Sequence, residues 1–134
     1  MLNKTVKFMQ KALYEAEIAL QKNCIPIGAV IVQNNKIVAR AHNGNFWHAE
    51  ILCIKQAQKK LQCNFLENCI LFTTIKPCAM CYHASKLARI KHIIFGCDNE
   101  KTCLNEPEMI DGICENEAKK LMQTFFKKKR EQTD

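Results

Sequence analysis

Apolar side chains recur at every third or fourth position over residues 4–22, with charged residues at the positions between them. This spacing places the apolar side chains along one stripe of a helix, so it predicts an amphipathic helix at the start of the chain. A second stripe of the same period predicts a closing helix whose lysines lie beside or beyond the stripe. The stripe residues are Val6, Met9, Leu13, Ala16 and Leu20 in the first helix and Ala118, Leu121, Met122, Phe125 and Phe126 in the closing one.

Between these two helices, β-rich runs alternate with helical patterns. The runs over 25–32 and 36–41 flank a polar segment, 33–35, whose two asparagines tolerate positive φ, and this predicts a β-hairpin. Strands alternating with helices are typical of an α/β sheet with helices on both faces. Residues 98–112 are the least regular part of the chain and predict loops. The remaining elements are a helix over 48–61, a strand over 70–74, a helix over 79–88 and a strand over 91–96.

Length and composition predict one globular domain over residues 1–134. The chain is 48% hydrophobic and 25% charged, a balance typical of folded proteins. Neither a signal peptide nor a membrane span of about 20 apolar residues is predicted, so we expect a soluble, cytoplasmic protein. The nine cysteines are odd in number and most lie within apolar runs, which disfavours a disulfide scaffold.

The net charge of +7 favours a polyanionic partner such as a nucleic acid, because clustered lysine and arginine attract phosphates. A lysine-rich surface also keeps a small protein soluble. Charge alone therefore leaves both interpretations open.

Two short motifs carry the candidate chemistry: His-Ala-Glu, beginning at His48, and Pro-Cys-Ala-Met-Cys over 77–81. Zinc binds imidazole and thiolate, and a catalytic zinc commonly has three protein ligands with water in the fourth position. Cys78 and Cys81 are three apart at the start of a predicted helix, so both sulfurs project from one face of its first turn, near the positive end of the helix dipole. With His48 they form a candidate catalytic zinc site.

Glu50 lies two residues after the histidine and is poorly placed to complete the same tetrahedron. Zinc lowers the pKa of its bound water to about 7, and a neighbouring carboxylate can take that proton and deliver it to a leaving amine. These two functions favour hydrolytic deamination with Glu50 as the proton carrier. Two other interpretations stay open: a structural zinc site with His83 as fourth ligand, and a first-turn glutamate that only satisfies the helix dipole.

The two motifs together resemble the signature of the zinc-dependent cytidine and deoxycytidylate deaminase superfamily. Three further stretches are similar to the tRNA adenosine deaminases in particular: 26–30, 94–96 followed by 101–102, and the final Phe-Phe pair with its basic tail. The resemblance implies a three-layer α/β/α cytidine-deaminase-like fold, with a mixed central sheet of four to five strands. It also implies a homodimer that converts adenosine to inosine at the wobble position of a tRNA anticodon.

Matched residue by residue, the resemblance assigns roles to the candidate site. Its zinc ligands are His48, Cys78 and Cys81, its proton carrier is Glu50, and its substrate-binding residues are Asn43, Ala49 and Pro77. Basic residues near the end of the chain and in the irregular segment are candidate contacts to tRNA phosphates, although a solvated helix end explains them equally simply. These residues are Lys101, Lys127, Lys128, Lys129 and Arg130. We expect Phe125 and Phe126 to pack in the core, unless one of them stacks on the anticodon loop.

The sequence departs from the tRNA adenosine deaminases at several positions near the motifs. Lys76 stands where the family usually has glutamate, and Trp47 stands where a small residue is usual. The connection from Asn43 to His48 is short, and the segment 103–113 predicts a last strand that is reduced to a stub or lost. Two other functions therefore stay open: deamination of a free nucleobase or nucleoside (guanine, cytosine or adenine), and a non-catalytic, zinc-stabilised tRNA-binding subunit.

Overall fold

The computed structural model describes residues 2–98 and 109–132. Within these ranges the chain forms four helices and five strands, and the hydrophobic pattern predicts the four helices and the first four strands. In chain order they are α1 (Leu2–Gln21), β1 (Gly28–Gln33), β2 (Lys36–His42), α2 (Ala49–Leu61), β3 (Cys69–Ile75), α3 (Ala79–Leu87), β4 (His92–Cys97), β5 (Met109–Ile110) and α4 (Glu115–Gln132).

The five strands form one mixed sheet in the order β2-β1-β3-β4-β5. Strand β1 pairs antiparallel with β2 and β3, whereas β3 and β4 pair in parallel, as do β4 and β5. The parallel β3–β4 pair needs a crossover connection, and α3 provides it. The prediction of a mixed central sheet is confirmed.

Helices cover both faces of the sheet. Helices α2 and α3 pack on the face that presents Ala29 and Ile31, and α1 and α4 pack on the face that presents Val30 and Val32. Because both faces are buried, the central strands are apolar at consecutive positions instead of alternating with polar ones. The three-layer α/β/α prediction is confirmed.

The β1–β2 hairpin turns at Asn34 and Asn35, whose φ angles of 53° and 63° are those of a type I′ turn. Strand β1 begins at Gly28, three residues later than predicted, because the chain makes a local turn from Ile25 to Ile27 and Pro26 has no N–H to donate. A Cβ at position 28 would clash with a backbone carbonyl oxygen of α1. The glycine therefore lets α1 pack closely against the start of β1.

The end of the chain matches the prediction in part. Strand β5 has only two residues, so the expected stub is present. In α4, Phe125 is buried but Phe126 is 45% exposed, and the expectation that Phe126 packs in the core is wrong. Consecutive residues point about 100° apart on a helix, so the two rings cannot share one narrow stripe.

No helix in the described ranges is long and apolar enough to span a membrane.

Candidate active site

The two motifs meet at the beginnings of α2 and α3. His48 is the N-cap residue of α2 and Cys78 is the N-cap residue of α3, and both have extended backbone conformations. Neither side chain caps its own helix with a hydrogen bond. Both side chains instead point into the space between the two helix ends, where Cys81 reaches them from the first turn of α3.

The three side chains lie close enough to bind one metal ion. The Nδ1 atom of His48 lies 3.6 Å from the sulfur of Cys78 and 3.3 Å from the sulfur of Cys81. All three candidate ligand atoms lie within 4.8 Å of one another. Cys81 is buried, and the other two residues are half-buried. His83, the candidate fourth ligand of a structural site, is exposed and lies outside this group.

Glu50 is buried beside this group, in the first turn of α2. Its side chain is 3% exposed, and its Oε1 atom has no hydrogen-bond partner among the described residues. Burial raises the pKa of Glu50 to about 7, against hydrogen bonds from its own backbone and from Cys81 that lower it. A buried polar atom without a partner is unfavourable, which indicates that a ligand belongs in this space.

Burial also raises the pKa of the Cys81 thiol, and the nearby Glu50 carboxylate raises it further. A cation between these groups would reverse the effect, because it favours the thiolate and the carboxylate together. Two thiols and one imidazole within 4.8 Å of one another therefore fit a metal ion, and the unpartnered carboxyl oxygen of Glu50 is buried beside them.

Asn43 joins the end of β2 to the start of α2. Its buried side-chain oxygen accepts a hydrogen bond of 2.6 Å from the backbone N–H of Ala49. The backbone N–H of Asn43 donates to the backbone carbonyl of Ile27. Ala49 and Pro77 are buried and adjoin the candidate metal ligands His48 and Cys78 along the chain. The structure thus places all three predicted substrate-binding residues next to the three candidate metal ligands.

The predicted tRNA-binding residues are not part of this cluster. Lys127, Lys128, Lys129 and Arg130 are exposed on the last turns of α4, in the layer on the opposite face of the sheet from α2 and α3. Lys101 lies outside the described residues.

Two buried charged groups near the site could not be recognised from the sequence. The carboxylate oxygens of Glu15, on α1, lie 3.0 Å from Nε of Arg40 and 2.9 Å from Nδ1 of His42. These contacts hold the end of β2 in place just before Asn43. In the sequence, Glu15 falls among the charged positions of the predicted first helix. The spacing gives no indication that it pairs with Arg40 and His42. Lys76 departs from the family pattern, but its burial against Phe95 and its 4.0 Å contact with Asp98 depend on the tertiary structure.

A family model described as MafB19-like deaminase matches residues 3–130. The chain belongs to this deaminase family. The deaminase is 38% identical to the tRNA-specific adenosine deaminase of Streptococcus pyogenes serotype M18, and the alignment covers 97% of this chain and 94% of that relative. The predicted resemblance to the tRNA adenosine deaminases is therefore confirmed, and so is the assignment as an enzyme.

Solved structures of deaminases share the fold. One comes from work on tRNA:A34 deaminases and A-to-I editing at the wobble position of transfer RNA. It superposes with a TM-score of 0.79 at 30% identity, covering 86% of this chain and 98% of that one. The guanine deaminase of Bacillus subtilis superposes with a TM-score of 0.66 at 32% identity, covering 70% of this chain and 64% of that one.

Proposed function

We propose that this deaminase converts adenosine to inosine at the wobble position of a tRNA anticodon, using one zinc ion per chain. The observation that carries the proposal is the meeting of His48, Cys78 and Cys81 beside the buried carboxyl of Glu50. The similarity to tRNA-specific adenosine deaminases over almost the whole chain supports adenosine in tRNA as the substrate.

The three ligands suit zinc better than harder cations such as magnesium, because two of them are sulfurs and one is an imidazole nitrogen. With His48, Cys78 and Cys81 as its protein ligands, zinc would keep room to bind a water molecule, as catalytic zinc ions do. When bound, zinc supplies Lewis-acid activation of that water near neutral pH.

Glu50 carries protons in the proposed reaction. Its carboxylate takes one proton from the attacking water and passes it to a ring nitrogen of adenine. It then takes the remaining proton from the added hydroxyl and delivers it to the amine that leaves. The water oxygen bonds to the amino-bearing carbon and the carbon–nitrogen bond breaks. Adenosine and water thereby give inosine and ammonia.

Asn43, Ala49 and Pro77 form the proposed base pocket. Because the side-chain oxygen of Asn43 already accepts from Ala49, Asn43 can contact the base through its amide N–H groups. A pocket of hydrogen-bonding groups discriminates well between bases, since a base that leaves a buried group unpaired is disfavoured.

The proposal extends to the partners and the compartment. The exposed lysines and the arginine at the end of α4 contact tRNA phosphates, where they contribute affinity and salt dependence but no sequence choice. The resemblance to the tRNA adenosine deaminases supports a homodimer, and tRNA as substrate supports action in the cytoplasm.

Mass analysis of nucleosides tests the proposal, after incubation of the zinc-loaded protein with unmodified tRNA transcripts. We expect inosine at the wobble position and one zinc per chain. The Glu50→Ala variant should lose at least about 100-fold in rate while it keeps its zinc, because general acid–base catalysis contributes about 10²- to 10⁴-fold. Glu17→Ala, which removes an exposed carboxylate of α1, is the matched control and should retain wild-type activity.

Deamination of a free nucleobase or nucleoside is the second candidate. The buried Lys76 beside Pro77 favours it, as does the structural similarity to a guanine deaminase. Turnover of guanine, cytosine or adenine, without binding of tRNA at low salt, would select this function. Tight tRNA binding without turnover of any substrate, in wild type and Glu50→Ala alike, would instead indicate a binding subunit.

A further inference from the structure

An aromatic pair, Phe46 and Trp47, stands exposed on the loop between the proposed base-contacting Asn43 and the ligand His48. The two side chains are 80% and 57% exposed, respectively. Their rings meet edge to face, with centroids 5.5 Å apart and planes 82° apart. We propose that this aromatic pair stacks on an unpaired nucleobase next to the target adenosine and so helps to select a single-stranded RNA substrate. The inference rests on the proposed function, since it takes RNA as the substrate.

The backbone under the aromatic pair is fixed at several points. The N–H of Gly44 donates to the carbonyl of Trp47 over 3.0 Å, and the N–H of Asn43 donates to Ile27 over 3.0 Å. The side-chain oxygen of Asn45 lies 3.4 Å from the sulfur of Cys24, which can donate its S–H to it. A loop that is already ordered loses little conformational entropy on binding, so its exposed rings form a preorganised surface.

The position of the pair favours a nucleobase over other occupants. Trp47 is the residue directly before His48, so its backbone adjoins the candidate site, and we infer that a base stacked on its exposed ring neighbours the base that enters the site. A flipped-out target leaves its neighbours unstacked, and aromatic side chains commonly hold such bases. The net charge of +7 brings RNA phosphates towards the protein. Scattered exposed apolar residues are ordinary on protein surfaces, but two adjacent aromatic residues on the loop that joins Asn43 to His48 form a surface of the right size and chemistry for a base.

Trp47 is the only tryptophan of the chain, so its fluorescence reports on the proposed contact directly. We expect an anticodon stem-loop RNA with adenosine at the wobble position to quench this fluorescence. An abasic nucleotide placed 5′ or 3′ of the target should reduce the quenching in one of the two positions and weaken binding on the order of 10-fold, the usual contribution of one stacked base.

Variants separate stacking from a structural role of the loop. Trp47→Ala should raise the dissociation constant of the stem-loop and its KM on the order of 10-fold, with little change in kcat at saturating RNA. Trp47→Phe keeps an aromatic face and should remain within about threefold of wild type. Tyr14 is also 57% exposed but lies on α1, in the layer across the sheet, so Tyr14→Ala is the matched control and should bind like wild type.

Three results would overturn the inference: unchanged RNA binding by Trp47→Ala, equal losses in Trp47→Phe and Trp47→Ala, or a shift of Trp47→Ala to a smaller sedimenting species. The last result would identify the aromatic pair as a contact with a second copy of the chain. The inference and the proposed function fail separately. If Trp47→Ala forms inosine and binds RNA as tightly as the wild type does, only the stacking is refuted. If RNA quenches the fluorescence of Trp47 in the wild type but no inosine forms, only the deamination is refuted.

Discussion

The buried side chain of Asn43 connects the sheet to the candidate site. The first backbone N–H groups of a helix have no partner within the helix, and His48 does not supply one although it occupies the N-cap position. The side-chain oxygen of Asn43 accepts from Ala49 instead, from across the loop. One residue therefore positions the start of α2, where the candidate metal ligand His48 and the proposed proton carrier Glu50 lie.

Replacement of Asn43 by alanine should destabilise both the fold and the site. We expect the free energy of unfolding to fall by about 1–3 kcal/mol, because the N–H of Ala49 is left buried without a partner. Urea denaturation measures this loss, and inosine formation by the folded variant should fall at least about tenfold. Asn116→Ala is the matched control. Asn116 is exposed on α4, and its replacement should change stability by less than about 0.5 kcal/mol. Equal effects of the two replacements would contradict the role given to Asn43.

At the scale of the elements, periodicity predicted the helices well and the strand ends less well. A stripe of apolar residues is a local property, so it located α1 and α4 to within a few residues. Strand β1 begins later than predicted because a turn precedes it. The asparagines of the hairpin were interpreted correctly, because their tolerance of positive φ is also local.

Gly28 tests the contact between α1 and β1. A Cβ at this position would clash with the backbone carbonyl oxygen of Ala12, which no side-chain rotation can relieve. We therefore expect Gly28→Ala to lower the free energy of unfolding by about 1–3 kcal/mol, as overpacked substitutions do. Gly44→Ala is the control, since a Cβ there meets no atom within 4 Å among the described residues. Thermal or urea unfolding of both variants is the measurement, and equal stability of the two would show that α1 adjusts its position freely.

At the scale of the whole molecule, the candidate site and the basic end of α4 lie in different layers. Helices α2 and α3 provide the site on one face of the sheet, while α4 packs on the other face. The described chain thus separates the proposed chemistry from the proposed phosphate contacts. This arrangement makes the two contributions separable by experiment.

Removal of charge at the end of α4 should change the salt dependence of RNA binding more than it changes catalysis. Removing one ion pair between a lysine and a phosphate reduces the slope of log K against log salt by about 0.7–0.9. We expect the double variant Lys127→Gln, Lys128→Gln to reduce the slope by one to two times this amount and to leave kcat unchanged. The double variant Lys59→Gln with Lys60→Gln removes the same charge from exposed positions at the end of α2. If both double variants give the same slope, the end of α4 makes no special contact with RNA.

The sequence by itself determined the class of fold and the set of candidate metal ligands. Residue types and spacings within a helical turn are local, so the motifs around His48 and Cys78 indicated the ligands, and alternating patterns indicated an α/β fold. The structure places these ligands together, whereas the zinc itself and the role of Glu50 stay proposals.

Only the tertiary structure decided which surfaces meet. The order of the strands, the burial of Lys76, the partners of Glu15 and the exposure of Phe126 depend on residues far apart along the chain. The sequence marks Trp47 as a departure from the family pattern, but the exposure of Phe46 and Trp47 emerges only once the loop is placed. The physical reason is the same in each case: burial and pairing are properties of contacts between elements, and a linear pattern specifies the face of an element but not its neighbour.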